Sequence, residues 1–259
     1  MSDEHPVLGR SARAADRSVT TGPLVTDVYD VWEPSADPQG VTVALVHGGF
    51  WRAAYDRHHL EPLAAALADD GFHVANVEYA RVGMPSGGWP GTGTSMRAQV
   101  EALRADNRLP PRVIAVGHSA GGHLVLWLAS RPAPPEHLLG VVALAPAADL
   151  REVHRLGLSG GAAAELLGCP ADSDPESNPG LWDSADPARQ RLCRPARLLT
   201  GGRDDLVPTS VPAAYLRSRA AGEPVAAVDI EDADHFDVID PEHAAYRTLR
   251  ALLNELSGG

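Results

Sequence analysis

The 259-residue sequence predicts an α/β fold in which a mostly parallel central sheet carries helices on both faces. Three observations carry that expectation. Residues 41–46, 113–116 and 140–145 are short apolar runs with the Val/Ala/Leu character of strands buried on both sides. Segments with apolar residues at helical spacing alternate with such runs, and strand–helix alternation implies parallel strands joined by crossover helices. Glycine and proline, with 25 and 22 residues, supply the many short connections that such a chain needs.

Taken in order, residues 1–20 are polar, rich in Arg, Ser and Ala and without periodicity, and read as a flexible N-terminal arm. The remainder, 21–259, has no internal repeat or linker and reads as one domain. Residues 25–32 alternate as an edge strand does, and 34–40 form a turn. The buried strand at 41–46 then runs straight into His47, Gly48, Gly49, Phe50 and Trp51. Leu60, Leu63 and Leu67 place a helix between Asp56 and Asp70, with Gly71 as its stop. A strand at 72–79, a Gly/Pro-rich loop at 82–94 and a helix at 95–105 follow. The strand at 113–116 leads into a helix at 120–130, and 140–145 is the next strand.

There the rhythm breaks. Residues 149–192 are rich in Gly, Ala, Asp and Pro, with one helical stretch at 162–167, and read as a small cap inserted over the C-terminal edge of the sheet. Strands at 196–200 and 225–230 then bracket a helix at 211–220. A helix at 241–253 closes the chain, with Pro241 in its first turn and Ala245, Leu249 and Leu252 on its buried face.

Composition excludes several classes of function. A formal charge of −12 argues against nucleic acid or an anionic membrane as a partner. Cys169 and Cys193 are too few for a disulfide framework and form no paired metal motif, so reduced thiols are expected, with a single bridge as the alternative. The first residues have no apolar h-region, and no apolar run approaches the ~20 residues of a membrane span. A soluble cytoplasmic protein acting on a small molecule is the expectation.

Chemistry concentrates at Gly117, His118, Ser119, Ala120 and Gly121, a G-x-S-x-G motif between an apolar strand and a helical pattern. That is the pattern of a nucleophile elbow, in which a serine sits on a tight strand-to-helix turn. A second match surrounds Ser159, but it follows a charged run with no strand character, so Ser119 is the nucleophile candidate. A serine hydroxyl needs a base and a group that orients that base. In the elbow architecture these follow in the order serine, acid, histidine, each after a later strand. Asp204 and Asp205 follow the strand at 196–200, and His235 follows the strand at 225–230. Asp234 and Asp237 lie too close to His235 in sequence to reach its Nδ1 easily while Nε2 faces the serine. His118, His123 and His243 lack the expected loop position and read as structural. Acyl transfer also needs donors for a developing oxyanion, and N–H groups of Gly49 and Ala120, with Gly48 or Phe50 as a third, are placed to supply them. Phe50 and Trp51 are expected to border the substrate pocket. No His/carboxylate set has metal-ligand spacing in the sequence, so neither metal nor cofactor is expected.

Over residues 41–253 these motifs resemble the α/β-hydrolase superfamily, and within it the arylformamidase (kynurenine formamidase) branch and its esterase relatives. The branch resemblance rests on H-G-G-F-W at 47–51, G-H-S-A-G-G-H-L at 117–124 and D-H-F-D at 234–237. Phe50 stands where relatives often have tyrosine, which removes any role for a phenol there. The resemblance implies that the D-x-x-V-P pattern selects Asp204, giving a Ser119–Asp204–His235 triad. It implies a serine hydrolase that cleaves a small acyl or formyl amide or ester through an acyl-enzyme, with an N-formylkynurenine-type substrate. A short-chain carboxylesterase is the alternative. A non-catalytic scaffold of the same fold is the third reading, disfavoured because every triad position is filled.

Overall fold

The unbroken apolar runs become the central strands. In the computed structural model, which describes residues 5–258, strands β1 (Arg17–Thr20), β2 (Val28–Trp32), β3 (Thr42–Val46), β4 (His73–Val77), β5 (Val113–His118), β6 (Leu138–Leu144), β7 (Ala196–Gly201) and β8 (Val225–Ile230) form one sheet. Its order is β1-β2-β4-β3-β5-β6-β7-β8. The β1–β2 and β2–β4 pairs are antiparallel and the others parallel. Every residue of β3 and β5 is buried. Successive side chains of β3 serve opposite layers: Val43 and Leu45 enter one core, Ala44 and Val46 the other.

Helices α1 (Glu61–Asp69) and α8 (Ala245–Ser257) cover the first layer; α2 (Gly91–Ala102), α3 (Ala120–Ala129) and α7 (Ser210–Arg217) cover the second. The N-terminus of α1 has no side-chain cap, a deficit on the order of 1 kcal/mol. Burial of Leu63 and Leu67, at roughly 1.5–3 kcal/mol each, outweighs it. No helix among the described residues is long and apolar enough to cross a membrane. Cys169 and Cys193 are not bridged.

Four sequence expectations change. The first is the flexible arm at 1–20, whose residues 1–4 lie outside the described ones. Arg17–Thr20 pairs with β2, Ser18 hydrogen-bonds Asp30, and Val7 is buried. Four residues are too few for a periodicity to show, and ion pairs such as Arg17–Asp106 at 2.6 Å do the anchoring. Second, α2 begins at Gly91, not near residue 95, so the preceding loop is shorter. Third, the closing helix begins at Ala245 rather than Pro241, because Asp240 Oδ1 accepts from Glu242 N and His243 Nδ1 from Ala245 N, which folds 241–244 into turns. Fourth, the stretch 149–192 holds three short helices, α4 (Leu150–Arg155), α5 (Ala162–Leu167) and α6 (Pro179–Ala185). Asp149 caps α4 and Asn178 caps α6. Of these α5 matches the helical stretch expected at 162–167, whereas α4 and α6, with six and seven residues, leave too little pattern to read by period.

Candidate active site

Ser119 stands between β5 and α3 with φ 56° and ψ −114°, a backbone conformation that a non-glycine residue rarely adopts. The surroundings over-determine it. Ser119 N–H donates to Leu144 O of β6 at 2.8 Å, and its carbonyl accepts from His123 N and Ala147 N at 3.1 Å each. Two glycines make room. A Cβ at Gly117 would run into the Gly121 carbonyl, and one at Gly121 into the carbonyl oxygens of Val46 and His47. α3 therefore starts in direct contact with the end of β3, which sets the chain after β3 beside Ser119.

The loops after β7 and β8 bring Asp204 and His235 together. His235 Nδ1 lies 2.7 Å from Asp204 Oδ2, and both residues are buried. Asp204 Oδ1 accepts from Leu206 N at 3.0 Å and Val207 N at 2.8 Å, so the carboxylate is held on both oxygens. With a carboxylate at Nδ1 the neutral ring keeps its proton there, leaving the Nε2 lone pair available. Asp205 is exposed. Asp234 and Asp237 serve the loop itself: Asp234 Oδ1 accepts from Phe236 N and Asp237 N, and Asp237 Oδ2 from Asp234 N. His118 Nε2 donates to His235 O at 2.9 Å. Burial, reinforced by His235 and His59, holds His118 well below the usual histidine range, so it is a neutral donor.

The chain after β3 turns through three consecutive left-handed residues, Gly49 (φ 106°), Phe50 (φ 49°) and Trp51 (φ 59°). His47 anchors this turn. Its Nε2 meets Glu78 Oε1 at 2.7 Å, its Nδ1 meets Gly48 O at 2.8 Å, and its ring stacks on Tyr79 at 4.3 Å. Burial raises the Glu78 carboxyl, but hydrogen bonds from His47 and Tyr79 N and the charge of Arg81 outweigh it and hold it below the usual range. Because the Gly48 carbonyl points at the His47 ring, the N–H of Gly49 across the same trans peptide points away from it. Among the described residues, none accepts a hydrogen bond from the N–H of Gly48, Gly49 or Phe50. Ala120 opens α3, so its N–H has no acceptor within the helix.

Ser119 and His235 line one cavity of about 380 Å³ with Gly49 and Phe50. Trp51, expected beside Phe50 at the pocket, is instead fully buried: the left-handed turn sends its indole into the core, where Nε1 donates to His123 Nδ1 at 3.2 Å. His123 in turn reaches Ala185 O of α6 at 2.9 Å, a core contact that fits its structural reading. Ser159, set aside as nucleophile, reaches the cavity lip, where its Oγ accepts from Arg52 at 2.8 Å. Sequence reasoning missed the apolar lining of Leu8, Tyr55, Leu206 and Phe236. Of these only Phe236 carried a usable signal, its place next to His235. It also missed a His5, Asp234, Asp237 cluster whose ligand atoms lie within 4.8 Å of one another, a set 229 or more positions apart at its ends.

The sequence matches no protein-family model and no curated protein. The structure is similar to a truncated carbohydrate esterase from gut microbiota, at 15% identity and TM-score 0.76 over 95% of this chain and 98% of that one. It is also similar to esterase B from Lactobacillus rhamnosis, at 18% identity and TM-score 0.75 over 95% and 89%. A butyrate-bound esterase from Thermogutta terrifontis matches at 18% identity and TM-score 0.63 over 88% and 87%. With its sheet order, its elbow between β5 and α3 and these likenesses, the chain has the α/β-hydrolase fold.

Proposed function

We propose that the chain is a serine hydrolase that cleaves small carboxylic esters through an acyl-enzyme. One observation carries the reading: Ser119, His235 backed by Asp204, and the N–H-bearing turn at Gly49 and Phe50 border the same cavity. Ser119 Oγ attacks the ester carbonyl while His235 Nε2 takes its proton, and Asp204 stabilises the imidazolium. The N–H groups of Gly49, Phe50 and Ala120 receive the oxyanion; each such donor is worth about 3 kcal/mol of transition-state stabilisation. Collapse expels the alcohol with the proton from His235. Water, deprotonated by the same ring, then attacks the acyl-serine, releases the carboxylic acid and restores the serine. Residues 149–192 act as the cap, contributing Ser159 to the lip.

Ester rather than amide substrates are favoured by the apolar lining and by the esterase names of the structural neighbours. The arylformamidase reading remains the second one, favoured by the aromatic Phe50, Tyr55 and Phe236 around the cavity. Its steps are the same, with a formyl group transferred and an arylamine leaving. The deciding experiment compares kcat/KM on p-nitrophenyl acetate, butyrate and hexanoate with that on N-formylkynurenine, for wild type and Ser119→Ala. Ester turnover abolished by the substitution, with one serine-directed phosphonate bound per chain, is expected. Deformylation outpacing every ester would move the assignment to arylformamidase; neither turnover nor phosphonate labelling would leave a non-catalytic scaffold.

A further inference from the structure

All but one of the cavity-lining residues lie in β5, in the connections that follow β3, β5, β7 and β8, or in the 149–192 stretch; the exception is Leu8. It comes from a single 3-10 turn, Pro6–Gly9, far upstream of the sheet's parallel core. That turn is gripped by the loop that carries His235. His5 Nδ1 accepts from Val7 N at 3.2 Å, so the ring proton sits on Nε2, which lies 3.2 Å from Asp237 Oδ1. The His5 ring packs 5.7 Å from Phe236, itself a cavity residue. On the other side of the turn, Arg10 bonds Asp240 Oδ2 at 2.9 Å and pairs with Glu242. Val7 is buried between these two anchors. The half-buried Leu8 is thereby presented to the cavity beside Phe236, whereas Tyr55 and Leu206, 55% and 41% exposed, stand at its mouth.

We propose that Leu8 is a specificity-determining residue, and that the Pro6–Gly9 turn is a wall of the pocket held in place by the loop bearing His235. The inference rests on the serine-hydrolase reading above and deepens it: the substrate carries an apolar group whose length Leu8 limits. A single methylene in such a pocket changes discrimination by roughly 10- to 200-fold, so a leucine side chain is large enough to set a chain-length cut-off. The anchors explain how a terminal turn performs this role. Two contacts on each flank fix the wall to the element that also places the base, so pocket width and base position are set together.

The test measures kcat/KM on p-nitrophenyl acetate, butyrate, hexanoate and octanoate for wild type, Leu8→Ala, Leu8→Trp and Arg10→Ala in the full chain. Phosphonate labelling of each variant establishes that the site is assembled. Leu8→Ala is expected to raise the octanoate-to-acetate ratio about tenfold, and Leu8→Trp to lower the hexanoate-to-acetate ratio by at least that factor. Arg10→Ala, which leaves the lining itself intact, should shift the ratio in the same direction as Leu8→Ala. Labelled Leu8 variants whose ratios stay within twofold of wild type would overturn the specificity role. An Arg10→Ala profile identical to wild type would overturn the anchoring. Absent labelling of wild type is a different result, and it removes the hydrolase reading instead.

Discussion

His118 Nε2 lies 2.9 Å from the main-chain oxygen of His235, so the residue that precedes Ser119 ties the end of β5 to the loop that carries His235. No other hydrogen bond among the described residues joins these two segments side chain to main chain so directly. Because burial keeps His118 neutral, the tie adds no competing positive charge beside His235.

His118→Leu should therefore lower kcat roughly two- to tenfold with little change in KM, since one net hydrogen bond is worth about 0.5–1.5 kcal/mol. His118→Gln places an amide donor near the former Nε2 and should recover most of the loss. Equal losses in both variants would reduce the residue to a packing role.

Asp204 and Asp205 are adjacent, yet only Asp204 reaches His235 Nδ1. Asp204→Asn is expected to cut kcat by about 10⁴-fold, because an amide favours the wrong tautomer of the ring. Asp205→Asn should change it less than threefold. Steady-state rates on one ester suffice, and a reversed order would reassign the acid.

Gly121→Ala would drive a methyl into the carbonyl oxygens of Val46 and His47. Both are backbone atoms of the β3 end, so relief requires α3 or the turn at Gly48 to move. A loss of roughly 3 kcal/mol or more is expected, at or above the usual range for overpacking. Urea unfolding reads it directly, and an unchanged midpoint would show that the start of α3 is free to shift away from β3.

Asp186 gives a pH signature. It is fully buried and its carboxyl is pushed up to about 7, first by burial and then by the neighbouring Asp149. Unfolded, it titrates near 3.8. Between these values the folded state holds a proton that the unfolded state releases, so stability present below about pH 4 is lost as pH rises through 7. Asp186→Asn removes that dependence. Relative to wild type the variant should gain stability from pH 4 to pH 8, by at most roughly 4 kcal/mol. His123 acts oppositely: burial lowers it to about 4, so its contribution, present above about pH 6.5, fades as pH falls. Because His123 is common to both proteins, its contribution cancels when Asp186→Asn is compared with wild type at pH 4 and pH 8, and a flat difference would mean the buried carboxyl is charged throughout.

Chelation should leave ester turnover intact. His5, Asp234 and Asp237 come close enough to bind a cation, but Asp234 Oδ1 already accepts two N–H bonds and Asp237 one on each side. A loss with EDTA that zinc restores would give this cluster a different role.

Much of the fold was legible because it is encoded locally. An unbroken apolar run followed by Gly-x-Ser-x-Gly needs no distant residue to declare a strand, a cramped turn and a helix, and strand context alone separated Ser119 from Ser159. The positions of Ser119, Asp204 and His235 after β5, β7 and β8 were readable for the same reason: each directly follows its own strand. Short elements mostly escaped: β1 has four residues, and of the helices in 149–192, with six or seven, only α5 at 162–167 shows in the sequence. Only the tertiary structure decided which side chains converge. Parallel crossovers carry the ends of β3, β5, β7 and β8 to one edge, and three left-handed residues turn Trp51 into the core while Phe50 stays at the cavity. The meeting of His5 with Asp237, 232 positions apart, has no local signature at all. Sequence determined where the candidate residues sit along the chain; packing determined the walls around them, because a wall is made by residues whose only common property is where the sheet brings them.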